Sequence, residues 1–288
     1  MMLATVNVFC SVYVYTNAST TEAGRVLPDC THEDYAAALD ATVAEMLAAS
    51  KISAPPIDTF RVAAALGVVV ASDDRQAGRA RYARLAAPST FGIARCPTMP
   101  QSQASAQPSI FLRREPRAER RQWAVGHELG EHVAEQVFRR LAIEVATALP
   151  TARETVANQL AGRLLVPTRW FVADFRRYAG DLVRLKARYA TASHELIARR
   201  MLDLEPFSIV TIWDQRRVTF RQSNSGGSPP RPCPAELECW RAVHELAEPA
   251  ERSTLGLHVA GWPVHEPGWK REILRSTPDP TCQPDYAD

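Results

Sequence analysis

The sequence predicts an α+β fold: mostly helical, with a small three-stranded sheet and a C-terminal extension made of a β-hairpin and a helix. Three observations carry this. Apolar residues recur at helical spacing through much of 32–204, short β-branched runs interrupt them at 68–71 and 109–113, and the pattern turns β-branched and aromatic at 207–222. At 288 residues the chain exceeds the roughly 150 expected of one domain, so one large or two modest domains are expected.

The elements follow in order. Residues 3–15 are apolar enough for a strand, and an over-extended gene start is the other reading. They lack the basic flank and cleavage site of a signal peptide. Residues 32–50 place Tyr35, Ala38, Leu39, Val43, Met46 and Leu47 on one helical face, with Thr31 at the N-cap, and Pro55-Pro56 ends the run. A helix over 58–66 stops at Gly67, and Val68–Ala71 reads as a strand. Further strands are expected at 90–96 and 109–113, separated by a Pro- and Ser-rich loop at 97–108. Helices are expected over 116–148, 151–165, 168–178, 181–188 and 191–204, the last capped by Ser193. A hairpin pairs 207–213 with 218–222, residues 223–234 form a linker, and a helix over 235–246 precedes an irregular tail.

Composition removes several functional classes. Lys+Arg 34 against Asp+Glu 32 leaves a net charge of +2, which argues against direct nucleic-acid binding. The six cysteines form no CxxC, so neither a thiolate metal site nor a secreted disulfide scaffold is expected. No apolar run reaches transmembrane length, and a cytoplasmic protein with free thiols is the expectation.

The chemistry concentrates at residues 125–135, VGHELGEHVAE, inside an expected helix. His127-Glu128 opens the HExxH zinc-hydrolase pattern, in which ligands at i and i+4 reach one metal and the i+1 glutamate is the general base for the attacking water. Here the i+4 position holds Glu131, and the second histidine is displaced to His132. Taking His127 as origin, about 100° per residue puts Glu131 near 40°, Glu128 near 100° and His132 near 140°. His127 and Glu131 thus share the border between the apolar and polar faces, while His132 lies beyond the base. Glu131 is the better second ligand on this geometry, and His132 is the reserve. A carboxylate suits zinc or manganese, at lower Lewis acidity.

The next helix carries ETVANQLAGRLLVP, residues 154–167. With HELGEH before it, this stretch resembles the ImmA/IrrE-type metallopeptidases. Of their pattern after HExxH, ExxAN…FA…LL-P, the residues Glu154, Ala157, Asn158, Leu164, Leu165 and Pro167 match. The resemblance implies a zincin-like domain over residues 32–205, between an unassigned segment 1–31 and a C-terminal extension 206–288. It also implies that Glu154 is the third metal ligand, beside His127 and Glu131, with Glu128 as the catalytic residue. Zinc is the implied cofactor, manganese the alternative. The implied activity is metal-dependent endopeptidase cleavage of a regulatory protein, such as a helix-turn-helix repressor or an antitoxin. Two departures are Glu131, where the family has histidine, and residues 206–288, which the pattern does not cover.

Each signal has a plainer account. His194-Glu195 and His244-Glu245 show that a His-Glu pair alone means little. Glu154 would favour a helix dipole without any metal. His258 and His265, flanking Trp262, share no helical spacing, so packing or loop roles are expected of them. The arginine-rich stretch 113–121 reads as a solvated helix start. With Glu131 in place of histidine, the alternative function is a catalytically silent module that binds a regulatory partner in a toxin–antitoxin pair. A DNA-binding repressor is disfavoured, because the N-terminal helices lack basic residues where a recognition helix needs them.

Overall fold

The computed structural model describes residues 30–75, 78–85, 107–145, 148–204, 206–225, 227–254 and 256–279. The strands expected at 3–15 and 90–96 and most of the 97–108 loop lie outside these residues. The fold is α+β, with eight helices and sheets of three and five strands among the described residues.

Helix α1 (His32–Ala49) starts where the Thr31 hydroxyl accepts the Asp34 N–H, and it buries the apolar face expected of it. Helix α2 (Thr59–Ala65) is capped by Asp58 and ends at Gly67, whose φ of 71° lets the chain turn into β1 (Val69–Ser72). Strand β3 (Gln107–Leu112) lies centrally, parallel to β1 and antiparallel to β2 (Ala80–Leu85). The three-stranded sheet is therefore present, with ARYARL supplying the unexpected strand. Its small and charged residues carry little β-propensity, and pairing with β3 decides its conformation.

Helix α3 (Ala118–Arg140) carries the HELGEH segment and stops well before residue 148. Ala142 adopts a left-handed conformation at φ 55°, and the Ile143 N–H returns to the Phe138 carbonyl. That reversal lets α4 (Pro150–Leu165) pack back along α3, where both helices feed one core with α1, α2 and β3. Helices α5 (Thr168–Arg177), α6 (Leu182–Arg188) and α7 (His194–Met201) follow near their expected bounds, with Ser193 capping α7.

The C-terminal region is more regular than expected. Strands β4 (Ile209–Asp214) and β5 (Arg217–Ser223) form the expected hairpin, and α8 (Pro234–Leu246) follows. The tail read as irregular is instead three strands, β6 (Ala250–Thr254), β7 (Leu257–Glu266) and β8 (Trp269–Pro278). They complete an antiparallel sheet in the order β5-β4-β8-β7-β6. One face of this sheet, through Val210, Ile212, Ala260, Trp262 and Ile273, packs on α4–α7. The other, through Trp213, Val259 and Leu274, packs on α8. Cover on both faces explains why β4 is buried at every residue. Gly261 admits α8 closely, since a Cβ there would lie 2.8 Å from Val243 Cγ2. Cys30, Cys233 and Cys239 are free thiols, and among the described residues no helix is long and apolar enough to cross a membrane.

Candidate metal centre

Two small-residue pairs set the distance between the helices that carry the site. On α3, Gly126 and Gly130 are one turn apart, and they face Ala161 and Ala157 of α4. A Cβ on Gly130 would lie 2.6 Å from the Ala157 carbonyl oxygen, so only glycine permits this approach. Because α4 runs back along α3, His127 and Glu131 come to face Glu154 and Asn158.

His127 Nε2 lies 3.8 Å from a Glu131 oxygen and 3.6 Å from a Glu154 oxygen. One ligand atom from each of the three residues fits within 4.8 Å of the others. Neighbouring ligands of a tetrahedral zinc at its usual bond lengths stand about 3.4 Å apart, so the donor set fits a single ion. Asn158 holds two of these groups. Its Nδ2 donates to Glu154 Oε1 at 2.9 Å, which leaves Oδ1 to accept from His127 Nδ1 at 3.1 Å. With its proton on Nδ1, the imidazole turns the Nε2 lone pair towards two carboxylates. That arrangement is repulsive without a cation between them.

Glu128 is 7% exposed, with Oε2 accepting the Tyr82 backbone N–H at 2.7 Å. Burial pushes its carboxyl above the usual range, opposed by His127 and the Tyr82 N–H and reinforced by Glu131 and Glu154. His132 falls outside the trio, its ring packed 5.1 Å from that of Tyr82. The structure thus brings together His127, Glu131 and Glu154, with Glu128 beside them and His132 apart. The sequence reading passed over Tyr82 and the Gly126/Gly130 pair. Strand β2 carried no signal for the first, but GxxxG on α3 opposite AxxxA on α4 was there to be read.

The family model for the IrrE N-terminal-like domain, a peptidase family, matches residues 63–202. Residues 63–202 are thus similar to an IrrE N-terminal-like domain. Helix α3, the three-stranded sheet and α4 all fall inside the match, and so do all five candidate residues. The five-stranded sheet of residues 209–278 lies beyond this domain. A Mycobacterium tuberculosis transcriptional regulator has a similar structure, with a TM-score of 0.55 at 15% identity over 83% of this chain and 75% of that one. This likeness concerns the fold. No curated protein matches the sequence significantly.

Proposed function

We propose that the chain is a metal-dependent endopeptidase that cleaves a regulatory protein, such as a helix-turn-helix repressor or an antitoxin. The observation that carries this is the orientation of His127 by Asn158, which aims Nε2 between Glu131 and Glu154. His127, Glu131 and Glu154 would hold the ion, zinc by donor type with manganese as the alternative. When bound, it supplies Lewis acidity to the scissile carbonyl and to water. Glu128 then takes the proton of the attacking water and passes it to the departing amine. The Tyr82 N–H fixes one Glu128 oxygen, so the other is the one free to act. The M. tuberculosis neighbour is described as a transcriptional regulator, and a regulatory, cytoplasmic setting is part of this proposal.

One observation favours a second reading. Two carboxylates beside one imidazole cancel the charge of a divalent ion and reduce its Lewis acidity. A silent site would leave the chain as a binding module for the same partner. The deciding experiment combines the chain with candidate helix-turn-helix repressors and antitoxins, the product of the adjacent reading frame first, and follows each mixture by mass spectrometry. Cleavage by wild type, lost in Glu128→Gln at unchanged metal content, supports the peptidase. Binding without cleavage by a metal-loaded wild type supports the module. A metal-free wild type that becomes metal-loaded only as Glu131→His rules out the peptidase.

A further inference from the structure

The C-terminal sheet assembles a second cluster with the chemistry of a metal site. On β8, Glu272 pairs in register with Trp213 of β4 and Pro263 of β7, so these three side chains form one row on the face towards α8. His265 lies two residues beyond Pro263 and shares that face. Above it, α8 contributes Trp240 and His244, four residues apart and therefore on one helix face. Three elements thus converge on one carboxylate. His244 Nδ1 and His265 Nε2 each lie 2.8 Å from Glu272 Oε1, and Trp240 Nε1 donates to Oε2 at 3.1 Å.

The charge balance makes this cluster unusual. Glu272 is 0% exposed, and its bonding partners among the described residues are these two imidazoles and the indole. No lysine or arginine is among them, since Lys270 Nζ goes to the His244 carbonyl and Arg271 goes to Asp214 and Glu195. A buried carboxylate is costly unless positive charge faces it, from a protonated imidazole or a bound cation. The two histidine side chains are each 17% exposed, so an ion has a way in from solvent. The surroundings also fit. The Trp240 indole holds the second carboxylate oxygen, as outer partners of metal ligands do, and its ring stacks between Trp213 at 4.6 Å and His244 at 5.4 Å.

We propose that His244, His265 and Glu272 form a second metal site, which binds zinc independently of the site on α3 and α4. The N2O donor set suits zinc, which would replace the two 2.8 Å hydrogen bonds to Glu272, spread the donors to about 3.4 Å and leave a fourth position to water. The ion pins α8 to β7 and β8, on the face of the sheet opposite the IrrE N-terminal-like domain. His265 therefore finds its partner in His244, and not in His258, which lies on the other face of β7 and is 3.5 Å from Glu251.

The test is zinc content of the full chain, stripped with chelator, reloaded and desalted. His127→Ala removes the first site, so this protein should retain about one zinc per chain, and His127→Ala with His265→Asn should retain none. Cobalt supplies a second readout that leaves the cluster unmutated. Bound beside His244, it should quench tryptophan emission of the His127→Ala protein, because Trp240 is in ring contact with that ligand. Should His265→Asn fail to fold by circular dichroism, His244→Asn replaces it, and the cobalt measurement depends on neither variant. A His127→Ala protein that holds no zinc and shows no cobalt quenching overturns the proposal, as does a folded His127→Ala protein carrying His265→Asn or His244→Asn that keeps the zinc. Loss of peptidase activity with this zinc retained would count only against the first site.

Discussion

Gly130 on α3 meets the backbone of Ala157 on α4 so closely that a Cβ on the glycine would lie 2.6 Å from the alanine's carbonyl oxygen. This contact stands one residue from Glu131 on one helix and one residue from Asn158 on the other. The separation of the two halves of the metal centre is therefore set by a glycine that carries no chemistry.

Gly130→Ala should separate the helices. Backbone atoms cannot rotate away as a side chain can, so overpacking should lower stability by about 1–3 kcal/mol. It should also pull His127 and Glu131 from Glu154 and weaken zinc binding. Urea unfolding and a zinc titration measure the two effects. Gly126→Ala is the control, because its Cβ would meet Thr59 and Ala161 at 3.5 and 3.7 Å, which is ordinary contact. It should leave zinc binding unchanged.

Asn158 touches a proposed ligand on each side without being one. Asn158→Ala should weaken zinc binding at the first centre by about 10- to 100-fold, the usual cost of losing an outer partner. Competition with a zinc-responsive dye, in a His265→Asn background to silence the second cluster, reads this directly. Unchanged affinity would show that His127 does not depend on Asn158 for its orientation.

Glu236, at the start of α8, is 3% exposed and is bonded by both terminal nitrogens of Arg221, by the Ser276 hydroxyl and by the Cys233 N–H. Burial alone would raise its carboxyl, but these four donors outweigh it and hold the group below its usual range. A folded-state value below the unfolded one stabilises above the unfolded pKa of about 4.3, and that stability is lost as pH falls through the folded value. Glu236→Gln should cost about 3 kcal/mol at neutral pH, because it leaves Arg221 without its charge partner. It should also flatten the acid limb of the stability curve below about pH 4.3, measured by urea titration across pH.

Zinc should raise the melting temperature in proportion to the logarithm of its free concentration. At 100 times the dissociation constant, one site contributes about 2.7 kcal/mol. Scanning calorimetry at several zinc levels should show this rise, and excess chelator should remove it. A melting temperature that does not move with zinc would count against both sites.

Legibility in the sequence followed how local each feature is. The helices could be placed because their periods repeat within a few residues and Thr31, Asp58 and Ser193 announce their starts. The end of α3 could not, because residues 141–148 keep a helical composition while Ala142 turns left-handed. Strand β2 and the last three strands were missed for a related reason. Their glycines, prolines and arginines carry weak local preference, and partners far along the chain supply the pairing.

By itself the sequence determined which residues are candidates for the chemistry. HELGEH on one helix follows from side-chain types and a spacing near 3.6, both of which are local, while Glu154 with Asn158 on the next was implied by the family resemblance. Only the tertiary structure decided which of them meet. Glu131 joins His127 and Glu154 because Gly130 and Ala157 let two backbones touch, while His132 turns to Tyr82 on a strand the pattern did not reveal. His244, dismissed as a chance His-Glu pair, faces His265 and Glu272 because the pairing register of β7 with β8 puts both beneath α8. Helix contact and strand register are relations between distant segments, decided by packing, and no short stretch of sequence contains them.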